Sequence, residues 1–181
     1  MKKTLIYFTI IVGVAAIIGG CKSSDDGAAT TTTSTSTCTG TSSGSGPTIG
    51  SVTLEEAAYL SSCFGGTKIK LEFKNNSSAQ YTSYTFDDSS CSGTATSSTS
   101  VCMSSITVSS TTVSRPVYHV DNSSIGDNAT GYNTTGIYSH NSSTAYMNFS
   151  AESTSVFWYN VSGSQSQLDS NAAYLFKFTK Q

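Results

Sequence analysis

The stretch beginning at Thr67 constrains the fold more than any other. Ile69, Leu71 and Phe73 alternate without a break against Lys68, Lys70, Glu72 and Lys74. A period of two places the apolar set on one face of an extended strand and the charges on the other. A strand with one wet face belongs in an antiparallel sheet covered on one side only. The signature returns near the C-terminus, where Tyr174, Phe176 and Phe178 alternate strictly.

Strands are also expected at Tyr81 to Phe86, Ser105 to Ser109, Thr112 to Val120, Gly136 to Ser139, Ala145 to Ser150 and Ser155 to Val161. Pro116 cannot donate to a ladder, so its strand should lie at an edge or carry a bulge. Asn75 to Ala79, His140 to Thr144 and Ala151 to Thr154 suit hairpin connections. Asp87 to Ser100 reads as a polar loop. Short antiparallel strands, about eight in roughly 130 residues, predict an all-β domain: a single meander, barrel-like or a sandwich. Thr53-Leu54-Glu55-Glu56 has the form of a capping box, with Leu54, Ala57, Ala58 and Leu60 following and Gly65-Gly66 as a stop. One short N-terminal helix is expected there.

Upstream, the composition changes. Lys2 and Lys3 precede an almost wholly apolar run from Leu5 to Ile18, then Gly19, Gly20 and Cys21. Charge, apolar core and small residues are the layout of a secretory signal, and the run is short for a spanning helix. Ile18-Gly19-Gly20-Cys21 resembles the lipobox of bacterial lipoprotein precursors. That resemblance implies a diacylglycerol thioether on Cys21, cleavage before it and a further acyl chain on the new amine. More than one acyl chain holds a protein firmly to a membrane. Residues 1–20 are then a signal peptide and 21–50 a low-complexity Ser/Thr/Gly tether. Residues 51–181 are the β-rich domain. Lys22, rather than an Asp, follows the cysteine, which leaves the outer membrane open as the destination. Asp25-Asp26 reads as a solvated pair or as a surface-export signal.

Removing Lys2 and Lys3 from nine basic residues leaves seven against eleven acidic ones. A net acidic chain argues against nucleic acid as a partner. Beyond Cys21 there remain Cys38, Cys63, Cys91 and Cys102. An even count in an exported chain points to disulfides, with more than one connectivity open. Cys63 with Cys91 is favoured because both lie within the folded part, leaving Cys38 with Cys102. The runner-up joins Cys91 to Cys102. Tyr59-Leu60-Ser61-Ser62-Cys63 is similar to the Trp-x-Ser-x-Cys opening of small, lipocalin-like exported bacterial β-proteins, with Tyr59 in place of the Trp. Tyr84 to Cys91 resembles their second cysteine motif. The resemblance implies the Cys63–Cys91 pairing and no particular activity.

No catalytic set emerges. Gly40-Thr41-Ser42-Ser43-Gly44 has the Gly-x-Ser-x-Gly form, but a nucleophile elbow needs a strand before it and a helix after it. His119 neighbours Asp121 without a nucleophile in the pattern, and His140 falls in an expected turn. Asp121 to Asn128 is oxygen-rich but lacks the EF-hand acceptors at its fifth and twelfth places. Asn-x-Ser/Thr sequons, as at Asn128, Asn141 and Asn160, are expected by chance in such a composition. No Cys-x-x-Cys exists, so no metal and no cofactor are expected. Trp158, the one tryptophan, sits among Phe157 and Tyr159 and is either a core residue or faces a small ligand. The reading is a non-enzymatic, lipid-anchored envelope module. Its partners are the membrane, through Cys21, and an unidentified envelope or extracellular molecule. The alternatives are a lipocalin-like carrier of a small apolar ligand and an inhibitor of an envelope hydrolase.

Overall fold

The computed structural model describes residues 31–34, 36–119, 125–170 and 173–181. The strands are β1 (Thr31–Ser34), β2 (Thr48–Ile49), β3 (Val52–Thr53), β4 (Ala58–Ser61), β5 (Thr67–Asn75) and β6 (Ser78–Thr85). They continue as β7 (Ser97–His119), β8 (Ile125–Tyr138), β9 (Thr144–Glu152), β10 (Ser155–Ser162) and β11 (Ala173–Lys180). A single helix among the described residues, α1 (Gln165–Ser170), precedes β11. Eight strands close into one antiparallel barrel in the order β7-β6-β5-β4-β11-β10-β9-β8, with β8 returning to β7. The all-β expectation holds, and of its two forms the barrel is the one adopted.

The alternation at Thr67 builds the wall as its periodicity requires. Ile69, Leu71 and Phe73 are buried, and across the ladder Leu71 faces Tyr81 and Phe73 faces Ala79. On the outer face Glu72 lies 3.2 Å from Lys70 and also pairs with Lys74. These ammonium groups, Lys74 foremost, hold the Glu72 carboxyl below its ordinary value. The interior is completed by Tyr59, Met103, Ala145, Met147, Phe149, Val156 and Phe178. Burying each Phe, Leu or Met contributes about 1.5–3 kcal/mol.

The regions 105–109 and 112–120, expected as separate strands, fall in one strand as far as His119, Val120 lying outside the described residues. β7 begins at Ser97, which shortens the polar loop before it. Register shifts between Ser104 and Thr107, and between Val108 and Thr112, account for the apparent gap. Bulges of this kind bend a strand without ending it. The strand is staggered between its neighbours. Val101 pairs with Tyr81 of β6, whereas Thr112 pairs with Tyr132 of β8, as closure of tilted strands demands. β6 pairs with β7 only as far as Met103, so beyond the second bulge β7 and β8 continue as a two-stranded arm. Pro116 lies in this arm opposite Asn128, beside a third register shift, in keeping with its expected edge or bulge position.

The arm folds back on the barrel. Val117 to His119 pair in parallel with Ala173 to Leu175. Phe157 and Leu175 are out of phase with the core residues Val156 and Phe178, so they face outward; there Ala129 of the arm packs with them. Buried Arg115 secures the same face. Its Nη2 donates to Asp169 at 3.0 Å and its Nη1 to the Leu168 carbonyl.

Two expectations fail at the N-terminal side. The capping box at Thr53 makes no helix, because both of its partners are used elsewhere. The Thr53 hydroxyl lies 2.9 Å from that of Thr48 across the β2–β3 hairpin. The Glu56 carboxylate accepts the Gly44 N–H at 2.9 Å and the Ser42 hydroxyl at 2.8 Å. Extended backbone lets both Leu54 and Tyr59 reach the core. The short helix lies instead before β11, where the Ser164 hydroxyl accepts the Gln167 N–H at 3.2 Å and Leu168 is fully buried.

The tether expected to run free to Gly50 is bound from β1 onward. β1 runs parallel to the start of β7. The Ser36 N–H donates to the Ser100 carbonyl at 3.2 Å, and the Ser36 hydroxyl accepts the Cys102 N–H at 2.8 Å. Gln80 brackets the next residues: its Oε1 accepts the Cys38 N–H at 2.7 Å and its Nε2 donates to the Ser36 carbonyl at 3.0 Å. The chain then climbs the wall. Gly46 donates to the Leu54 carbonyl at 2.8 Å and Leu54 donates to the Pro47 carbonyl at 3.1 Å. This ties down the β2–β3 hairpin as a plug whose Ile49 and Leu54 join the barrel core. The apolar residues that reward ordering lie at the far end of the low-complexity tract, not within it.

Candidate functional site

Both favoured disulfides are formed. Cys63 joins Cys91 with Cα atoms 5.7 Å apart, linking the β4–β5 turn to the loop before β7. Cys38 joins Cys102 at 4.9 Å and fastens the climbing segment to the outside of β7. The Cys91 loop is organised by Asp88. Its carboxylate accepts the Ser90 N–H at 2.8 Å, the Ser92 N–H at 3.1 Å and the Ser92 hydroxyl at 3.0 Å. The Ser90 hydroxyl donates as well, and these bonds, that of Ser90 first, lower the Asp88 carboxyl to about 2. Gly66 is obligatory beneath this loop: at φ 80°, any Cβ there would meet the Phe86 and Asp88 carbonyls.

The other sequence-derived candidates do not converge. Cys21, Asp25, Asp26 and Asp121 to Ser124 lie outside the described residues. Trp158 lies in β10, paired with Phe149 and Phe176; its side chain and that of His119 are outside the described part. His140 is half-buried at the β8–β9 turn, its ring 5.7 Å from that of Tyr138 and its Nδ1 without a partner. The Gly40–Gly44 match lies in the climbing segment, where Ser42 bonds Glu56 and Ser43 accepts the Asn76 N–H at 3.2 Å. No strand–turn–helix surrounds it. Among the described residues no group of His, Cys, Asp and Glu is arranged to hold a metal.

The interior is aromatic and weakly polar. Burial pushes the Tyr81 phenol up to about 12, helped by nearby Tyr138, and burial pushes Tyr138 up to about 12 as well. Outside, beneath the folded arm, lies a polar network. Asn133 Oδ1 accepts from Asn148 at 2.6 Å and from Gln165 at 3.4 Å, and Gln165 also donates to Asp169 at 2.8 Å. This network fixes α1 and the arm to the wall. Arg115 and Asn148 carry no sequence pattern that marks them, because the arm that buries them is a long-range contact.

A surface groove of about 410 Å³ opens at the plugged end of the barrel. It is lined by Thr48 and Gly50 of the β2–β3 hairpin, Val108, Ser109 and Ser110 of the bulged strand, and Tyr132 of β8. The second bulge takes Ser109 and Ser110 out of the ladder, and the Ser109 hydroxyl accepts the Thr111 N–H at 2.9 Å. Gly50 sits at φ 63° against Tyr132: an added Cβ would lie 2.5 Å from the phenol oxygen. The hairpin and the tyrosine therefore hold each other, and only glycine fits between them.

No protein-family model, no curated protein and no solved structure matches this chain.

Proposed function

We propose that this is an exported, lipid-anchored protein of the bacterial cell envelope, with a barrel that serves as a rigid, non-catalytic interaction or structural module. The lipid anchor rests on the lipobox-like Ile18-Gly19-Gly20-Cys21. The paired cysteines suit an oxidising compartment. The observation that carries the choice of module is the filled barrel: Tyr59, Phe73, Phe149 and Phe178 occupy the interior, and Ile49 and Leu54 plug it. A lipocalin-like carrier, the alternative, needs an enclosed apolar space where these side chains sit. An inhibitor of an envelope hydrolase is a special case of the module.

Metabolic labelling with an acyl-chain probe, followed by membrane fractionation, tests the anchor. Label and membrane association are expected for the native chain and lost in Cys21→Ala. Label retained by Cys21→Ala sinks the anchor. Native mass spectrometry of the purified protein with an excess of fatty acid tests the barrel. A ligand-free barrel is expected, and stoichiometric uptake restores the carrier.

A further inference from the structure

The lysines of the barrel differ in their partners. Lys70 and Lys74 share Glu72, and Lys180 pairs with Glu55. Lys68 and Lys177 pair with no carboxylate among the described residues. Each is held over a ring instead, Lys68 5.8 Å from the centre of Phe86 and Lys177 5.4 Å from that of Phe157. A ring attracts an ammonium but leaves its charge intact. The two also stand side by side. Leu60 of β4 faces Lys70 of β5 on one side and Thr179 of β11 on the other. Two residues back from each, on the same outer face, come Lys68 and Lys177. Two strand spacings put them about 10 Å apart.

We infer that this wall docks on an anionic phospholipid bilayer, with Lys68 and Lys177 against the headgroup phosphates. The inference deepens the interaction-module reading and rests on the proposed anchor to bring the wall to the membrane. Thr67 faces Thr85, Thr85 faces Ser97 and Ser97 faces Thr31. The tether therefore joins the barrel one residue from the level of Lys68. Residues 21–31 span at most about 36 Å, which keeps the lysine pair close to the bilayer. Charge sets the orientation. Beyond Cys21 the chain carries eleven acidic residues against seven basic ones, so as a whole it is repelled by a negative surface. On this wall Lys68, Lys70, Lys74 and Lys177 stand against Glu72 and, in the loop after β6, Asp87 and Asp88, the last caged by Ser90 and Ser92. The balance there is positive.

The test mixes the full chain with an excess of vesicles, of phosphatidylcholine alone or of phosphatidylcholine with phosphatidylglycerol. Lysine acetylation is then followed by peptide mass spectrometry. Lys68 and Lys177 should react severalfold more slowly on the anionic vesicles, and Lys180, paired with Glu55, equally on both. Added salt should remove the difference. Each lysine near an anionic surface favours docking about fivefold, so Lys68→Gln with Lys177→Gln should weaken it about 25-fold. Protection of Lys70 on anionic vesicles should then be lost, with the circular dichroism spectrum unchanged, since Lys177 is exposed and Lys68 half-buried. Lys180→Gln should leave the protection intact. Equal acetylation of Lys68 and Lys177 on the two kinds of vesicle overturns the inference, as does full protection of Lys70 in the double variant. Protection by soluble polyglutamate and not by anionic vesicles overturns it in favour of an acidic protein partner. The intact mass of the same sample reports acylation, and an unacylated chain still protected on anionic vesicles sinks the anchor alone.

Discussion

Replacing Cys38 and Cys102 by alanine removes the outer of two nested disulfides, and its cost can be worked from the chain. The pair spans 64 residues and encloses the Cys63–Cys91 pair, which spans 28. With the inner bridge intact, the unfolded chain gains a loop of 36 residues, the difference between those spans. Loop-closure entropy then assigns about 3.8 kcal/mol to the outer bridge. For a domain of this size that is a fall of roughly 10 °C in thermal midpoint. The same reasoning gives about 3.6 kcal/mol for Cys63→Ala with Cys91→Ala, so the two double variants should lose similar amounts. Guanidinium unfolding followed by circular dichroism measures both. Hydrogen exchange adds a local readout: the Gly46 and Leu54 amides, bonded within the plug, should exchange faster once Cys38 is free. A loss below about 1 kcal/mol with unchanged exchange at those amides would refute the reasoning. It would show that Ser36, Gln80 and the plug hold the segment without the bridge.

The remaining predictions concern single groups. Leu54→Ala leaves a cavity beneath the plug and should cost about 3 kcal/mol by denaturant unfolding, whereas a cost near zero would mean that Leu54 is not in the core. Asp88, held at about 2, contributes stability that is complete above its unfolded pKa near ~4 and lost as pH falls toward 2. Acid titration of Asp88→Asn should therefore show a flatter decline over that window, and a parallel curve would count against the Ser90–Ser92 cage. Tyr81 and Tyr138, both at about 12, contribute stability that is full below the ordinary phenol value near ~10 and lost as pH rises through 12. Their phenolate absorbance should appear together with unfolding, and ionisation of both in the folded barrel near pH ~10 would contradict their burial.

A local sequence pattern carries through to the fold where the tertiary structure asks for the same thing. At Thr67 the period of two survived unchanged because the strand is half-buried. The Thr53 capping box was a sound local pattern, overruled because Leu54 and Tyr59 gain more by reaching the core than a short helix gains from its cap. The bulged strand looked like two strands because extra residues near Ser105 and Ser109 break the alternation. The binding of Ser36 and Cys38 to the wall was hidden, since hydroxyl and amide contacts leave no apolar periodicity. Tyr132 and Gly50 are far apart in the chain, and neither stands in a pattern that announces the other. The cysteine count made disulfides legible but left the connectivity open, since spacing alone does not tell Cys63–Cys91 from Cys91–Cys102.

The parallel seating of β1 beside the start of β7 sets a standoff. A leash reaching from Cys21 to Gly50 would let the barrel swing freely over a wide volume. With the chain captured at Thr31, the reach from the proposed anchor to the barrel is at most about 36 Å, even fully drawn out. Thr31 lies beside Ser97, at one end of β7, while the groove begins at Val108, farther along the same strand. If Cys21 carries the proposed lipid, the Cys63–Cys91 end of the barrel is the end nearer the point of attachment, and the groove lies farther from it along β7.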